Sequence, residues 1–115
     1  MGQAAARWDE LVEVFQSGDV DRLPGMYTET AIYLEPFNPP HHGNLLVQAY
    51  LKDWLANKEE MAVTVKRVIE NPEGTIAAAE WTMSYSAGGR RWSNLPRTTW
   101  IEVGDDGRIV AQRDY

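Results

Sequence analysis

MAVTVKRVIENPEGTIAAAEW, residues 61–81, is the stretch in which the hydrophobic period of this chain changes. Up to Leu55 the apolar residues recur at helical intervals. From Met61 they alternate, with Met61, Val63, Val65 and Ile69 to one side and Ala62, Thr64, Lys66 and Glu70 to the other. A step from a period of about 3.6 to one of 2 marks the passage from helix to sheet. NPEG at 71–74 turns the chain into a second strand, Thr75 to Tyr85. AGGR at 87–90 makes another turn, Arg91 to Val103 a third strand, and GDDG at 104–107 a tight hairpin into Arg108 to Tyr115. Four strands joined by short turns predict an antiparallel meander.

The segment before it is mostly helical. Trp8, Leu11, Val12 and Phe15 recur every three or four residues between Gln3 and Phe15, which predicts a helix with one buried stripe, ended by Gly18. Asp19 is placed to cap a second, shorter helix that buries Val20, Leu23, Met26 and Tyr27. Pro24 removes an amide donor within it and makes it irregular. Ala31 to Glu35 reads as a strand closed by Pro36, and the loop through Pro39, Pro40, His41 and His42 ends at Gly43. Asn44 then caps a helix with Leu45, Leu46, Ala49, Tyr50, Trp54 and Leu55 at helical spacing. The layout is α+β, with helices on one face of a curved sheet.

The 115 residues suit a single domain spanning 1–115. Eleven basic residues against seventeen acidic ones give a net charge of −6, which argues against nucleic acid and anionic membranes as partners. There is no cysteine, hence no disulfide, thiolate nucleophile or thiolate-bound metal. The N-terminal MGQAAARWDELVEVF carries charges every few residues and lacks a signal-peptide core, so a soluble, cytoplasmic protein is expected.

SGDVDRLPGMYTETAIYLEP (17–36), the PPHHG loop leading into AYLKDW, and the terminal GRIVAQRDY resemble the SnoaL-like group of the nuclear transport factor 2-like superfamily over essentially the whole chain. The resemblance implies a cone-shaped fold, a strongly curved and mostly antiparallel sheet wrapped on three N-terminal helices, with a deep apolar pocket and often a homodimer formed through the sheet. It does not imply one activity, since isomerases, polyketide cyclases, epoxide hydrolases and non-catalytic proteins share this fold.

Glu35 and Asp114 are the catalytic candidates. Glu35-Pro36 resembles the Asp-Pro dipeptide of the ketosteroid isomerases, and Tyr33 shares its strand face. A carboxyl group in an apolar cone has its pKa raised towards the range of a general base near neutrality. Glu35 reads equally as a strand-end carboxylate in solvent or paired with a cation. Asp114 stands where SnoaL-type cyclases carry their acid/base aspartate, and equally where a structural aspartate is held by amides or by Arg97 or Arg113. By the same resemblance, Leu11 stands where the isomerases have a donor tyrosine and Thr99 where they have a protonated aspartate, which makes true ketosteroid isomerase activity unexpected. Arg97 with Asp114 provides two members of the Asp-Arg-Asp trio of epoxide hydrolases, with Thr99 where the third would be. A cross-strand Arg97–Asp114 ion pair is the preferred alternative.

Tyr33, Arg97, Thr99, His42, Trp54 and Leu11 are the substrate-binding candidates. Neighbouring residues of an extended segment point to opposite sides, so His41 and His42 are poorly placed to share a metal, and the chain has no third histidine. His42 is the expected proton shuttle at the pocket rim. No metal or cofactor is expected. Trp8 and Trp54 fall on helix stripes, whereas Trp100 falls on the outer face of the sheet. An exposed ring there predicts a homodimer through the sheet, with Arg90 or Arg91 near Trp100. The functional expectation is a small apolar organic ligand in a cone pocket, with cofactor-free isomerase- or cyclase-type acid/base chemistry on a carbonyl compound. The alternative is a non-catalytic binding or dimerisation module.

Overall fold

The computed structural model describes residues 2–115. Helix α1 spans Gln3–Ser17 and is followed by a 3₁₀ segment at Val20–Met26. Strand β1 (Tyr27–Leu34) and the two-residue β2 (His41–His42) precede helix α2 (Asn44–Ala56). Strands β3 (Glu59–Glu70), β4 (Ile76–Ala87), β5 (Arg90–Val103) and β6 (Ile109–Asp114) complete the chain. They form one six-stranded sheet in the order β2-β1-β6-β5-β4-β3. The meander of four is antiparallel, while β1 lies parallel to β6 and β2 pairs antiparallel with β1. Bulges interrupt four of the pairings and bend the sheet around α1 and α2.

The core lies between the helices and the inner face of the sheet. Trp8, Leu11, Val14 and Phe15 of α1 meet Ala77, Ala79 and Trp81 of β4, Ile101 of β5 and Ile109 of β6, all buried. Four rings pack against one another in sequence, two of the three pairs tilted. Trp8 and Phe15 lie 5.4 and 5.9 Å from Trp81, and Phe15 lies 5.3 Å from Trp54. Each such pair contributes about 0.5–1.5 kcal/mol beyond the area it buries. No helix among the described residues is long and apolar enough to cross a membrane.

Several local expectations are corrected by these contacts. Asp19 makes no side-chain cap; instead its own amide donates to Ser17 Oγ at 3.1 Å. Pro24 sits in a 3₁₀ turn rather than an α-helix, and Tyr27 opens β1 four residues before the predicted strand start at Ala31. Asn44 does not cap α2, because its Nδ2 donates to Pro24 O and Tyr27 O, both at 3.2 Å, and ties the helix to the 3₁₀ segment. The buried face of α2 is Val47, Gln48, Leu51 and Leu55, which leaves Leu45 and Leu46 exposed. On β3 a register shift between Val65 and Arg67 changes the phase of the strand. Val63 and Val65 pair with Met83 and Trp81, but beyond the shift Val68 and Glu70 pair with Ala79 and Ala77. Ile69, predicted to share a face with Met61, therefore turns outward.

The same shift aims Glu70 at the start of α1. Its carboxylate accepts from Gly2 N at 2.8 Å and Ala5 N at 2.9 Å, binding amides that the first helical turn leaves without partners. Gly74, at φ +73°, packs against Gly2 so closely that a Cβ would lie 2.8 Å from Gly2 Cα. The Ala5 and Gly2 amides hold the Glu70 carboxyl below its ordinary value of 4.5. Its contribution to stability is thus complete above about pH 4.5 and is lost as pH falls through the lower folded-state value. Glu70→Gln is expected to lower the urea midpoint at pH 7, with the gap from the parent protein closing as pH is taken below 4.5.

Candidate functional site

The site is built where β1 and β6 run side by side. Alternation along β1 turns Ala31 and Tyr33 inward, and alternation along β6 does the same for Gln112 and Asp114. Asp114 is 5 % exposed. Tyr33 donates its phenolic hydrogen to Asp114 Oδ2, and Thr99 of β5, directly across the ladder, donates to Oδ1 at 2.7 Å. Trp81 Nε1 donates to Thr99 Oγ1 at 3.0 Å, which commits the threonine proton to the carboxylate. Arg97, one inward position before Thr99, brings a guanidinium nitrogen to 3.7 Å from Oδ2. Beside this group Tyr27 donates to Gln112 Oε1 at 2.6 Å.

Burial pushes the Asp114 carboxyl above its ordinary value, while Tyr33, Thr99 and Arg97 pull it back. Burial also raises the Tyr33 phenol far above its usual range, and the neighbouring Asp114 charge adds to the effect. Tyr33 is therefore a committed hydrogen donor, never a phenolate near neutrality.

Glu35 follows the last residue of β1 at the rim. It accepts from Tyr50 Oη of α2 and from Asn38 Nδ2 of the loop. Tyr50 is pushed up chiefly by burial and then by this hydrogen bond. The rings of Tyr33 and Tyr50 lie 5.2 Å apart, so the two carboxyl groups are joined through two phenols. His41 pairs across the ladder with Tyr33, and its ring sits 4.3 Å from Tyr50 with Nδ1 buried and unpartnered.

Of the candidates read from the sequence, Tyr33, Arg97, Thr99 and Asp114 form one hydrogen-bonded and charged group, with Glu35 joined through Tyr50. Trp54, on α2, is half-buried and packs against the core, with its ring beside that of Phe15. Leu11 does not reach the site; it is fully buried in the core beneath Trp81 and its neighbours. His42 does not reach it either. It pairs with Ile32 on the opposite face and lines a groove of about 640 Å³ with Glu29, Asn44, Leu45 and Leu46. His41 occupies the inward position instead. Period-2 alternation from Tyr33 through the short ladder was the signal that distinguishes the two histidines, but the pairing partner was needed to use it. Tyr50 was also missed, because it was read as core. In place of the deep pocket that the resemblance implies, the cavity beside Glu35 is a mouth of about 270 Å³ lined by Leu34, Glu35, Pro36 and Tyr115, while the half-buried Tyr50, Trp54, Tyr85 and Leu95 pack against the core.

Comparison with known proteins agrees with this architecture. The family model described as a SnoaL-like domain matches residues 8–112. No curated protein matches significantly. A steroid delta-isomerase from Pseudomonas aeruginosa superposes with a TM-score of 0.75 at 26% identity, over 99% of this chain and 79% of that one. An LEH-like epoxide hydrolase of Mycobacterium tuberculosis gives 0.81 at 20% identity, over 98% and 81%. RV0760c from Mycobacterium tuberculosis gives 0.87 at 15% identity, over 100% and 91%.

Removing the phenolic donor leaves the Asp114 carboxylate with one fewer charge-assisted bond, each of which is typically worth about 1.5–3 kcal/mol. Tyr33→Phe is expected to raise the Asp114 pKa further, read from the ¹³C carboxyl shift against pH. Because the folded-state value already lies above the ordinary 3.8, Asp114 costs the fold stability as pH rises through that window. Asp114→Asn is expected to gain relative to the parent over the same rise, in urea midpoints measured from pH 3.5 to 8.

Proposed function

The chain belongs to the SnoaL-like family, and from that membership we propose that its mouth takes a small, largely apolar carbonyl compound and performs cofactor-independent acid/base chemistry on it. The observation that carries the proposal is the pair of carboxyl groups linked through Tyr33 and Tyr50. Glu35 is the base. Among the described residues it has no ion-pair partner, its bonds are to an amide and a phenol, and it stands at the open end. It takes a proton alpha to the carbonyl, and the C–H electron pair forms the enolate double bond as the carbonyl pair moves onto oxygen. Asp114, shifted by burial towards its protonated form, gives a proton to that oxygen, while the Tyr33 and Tyr50 hydrogens stay on the two carboxyl groups. Return of the proton to a different carbon completes an isomerisation; attack of the enolate carbon on a second carbonyl completes a ring closure.

The likeness to the Pseudomonas aeruginosa steroid delta-isomerase supports the isomerisation branch. Leu11 and Thr99 replace the donors expected of a ketosteroid isomerase, which leaves Asp114 as the acid. A second reading, a binding module without turnover, is favoured by one observation: both Asp114 oxygens already have partners. The deciding experiment is ¹H NMR in D₂O with a panel of cyclic ketones, steroids and polyketide-like aromatics. Acid/base chemistry predicts catalysed alpha-proton exchange in a bound ketone, reduced about 10²–10⁴-fold in Glu35→Gln and Asp114→Asn while binding persists. Binding without exchange in the parent protein would select the second reading.

Pairing with a second copy through the outer face of the sheet belongs to the same proposal. Trp100 is 45 % exposed there and Ile69 59 %. The cations beside Trp100 are Arg113, its ladder partner, and Arg67, which lines the same groove. Arg90 and Arg91 lie at the far end of β5, where Arg90 stacks on Trp92 instead. Sedimentation velocity is expected to show a dimer that Trp100→Glu converts to monomer; a parent protein that is monomeric throughout would remove this element.

A further inference from the structure

Gln112 is a fully buried amide, 0 % exposed, two residues before Asp114 on β6. Successive inward positions on a strand lie about 6.6 Å apart, so the amide stands beside the carboxyl. The ladder repeats this neighbourhood on both sides. Tyr33, which holds Asp114 Oδ2, is the β1 partner of Gln112, and Ile101, two residues past Thr99, is its β5 partner. Tyr27, also fully buried, donates to Gln112 Oε1 at 2.6 Å. Among the described residues that oxygen is the phenol's one acceptor. Turning the amide over would leave a buried phenolic hydrogen unbonded, so Tyr27 fixes Oε1 towards itself and Nε2 away.

Nε2 is closed off from solvent and, among the described residues, completes no hydrogen bond. Buried donors of native proteins are nearly always bonded, so one left over calls for a reason. Asp114 supplies it. Of the groups that pull its carboxyl down against burial, Gln112 comes last, after Tyr33, Thr99 and Arg97. Once Asp114 has given up its proton, the carboxylate is a buried charge with two hydroxyl donors and a guanidinium at a loose 3.7 Å. A carboxylate has about four acceptor positions, which leaves room for the amide. A hydrogen bond completed only in the charged state stabilises that state alone, and so favours proton release.

We propose that Gln112 is a positioning residue for the acid: its amide, oriented by Tyr27, completes a hydrogen bond to Asp114 as the carboxyl releases its proton. This assignment rests on the acid/base reading of the site and extends it to two residues behind the acid. It also separates the two uses of a buried aspartate, since a purely structural carboxylate would have the amide fully bonded in the resting fold. The other groups that face Asp114 are Tyr33 of β1 and Thr99 and Arg97 of β5. Glu35 stands beyond Tyr50 of α2, and His41 of β2 lies 6.1 Å from the Tyr33 ring. None of them bonds Nε2, so substitution at Gln112 isolates the effect of the amide.

The test follows the Asp114 ¹³C carboxyl shift against pH in the free protein, with urea midpoints to register the fold. Gln112→Met keeps the length of the side chain and is expected to raise the Asp114 midpoint by about one unit, a tenfold gain in proton affinity. Tyr27→Phe removes one hydroxyl, frees the amide to turn, and is expected to raise it in the same direction by less. Ile101→Val disturbs the packing opposite Gln112 and is expected to lower the urea midpoint while leaving the titration in place. A titration unmoved by Gln112→Met or by Tyr27→Phe, or moved as far by Ile101→Val, overturns the assignment. In the D₂O exchange assay the fall in rate at high pH, where the acid loses its proton, is expected to move up with the NMR midpoint in Gln112→Met; a fall that stays in place overturns the assignment as well. Absence of exchange in the parent protein removes the acid/base reading, while the titration still decides the part played by Gln112.

Discussion

The parallel pairing of β1 with β6 is the constraint from which the site follows. It joins residues 27–34 to residues 109–113, more than half the chain apart. Parallel neighbours cannot be joined by a tight turn, so α2 and the whole meander are spent on the crossover between them. The pairing sets Tyr33 beside Asp114. Without it the last strand would be an antiparallel edge, and the Asp114 carboxyl would have water in place of a phenol.

A buried carboxyl of this kind is held at a cost. Removal from water disfavours its charged form, and the Tyr33 and Thr99 hydroxyls with the Arg97 guanidinium offset that only partly. The Trp81 indole takes part indirectly, by occupying the acceptor side of Thr99 and leaving its hydrogen for Asp114. A core residue thus orients a site residue. Leu11 and Ile101 have no such duty and serve the packing alone.

The mouth combines groups with opposing requirements. Glu35 and His41 approach from the loop side, Tyr50 from α2 and Arg97 from β5. The cluster of rings formed by Trp8, Phe15 and Trp81, with the half-buried Trp54 at its edge, fills the core between helices and sheet. It also fixes the helices against the sheet, which keeps the positions of the charged groups rigid.

Element type was legible from the chain alone wherever one period ran unbroken: α1 from its Trp8–Phe15 stripe, the meander from alternation and the NPEG, AGGR and GDDG turns. The family resemblance brought Glu35, Arg97, Thr99 and Asp114 forward. Positions were lost where local pattern and long-range contact disagree. The shift between Val65 and Arg67 reverses the facing of Ile69, and no period-2 count can register it, because the extra residue is set by what β4 pairs with. His41 rather than His42 faces the site for the same reason, since the choice belongs to the Tyr33 partner in β2. Leu45 and Leu46 shared helical spacing with Tyr50 and Trp54, yet packing against β1 and the 3₁₀ segment selected a different face of α2. Periodicity depends on covalent spacing, which the sequence determines by itself. Register and facing depend on which distant surface each element covers, and only the tertiary structure decides that.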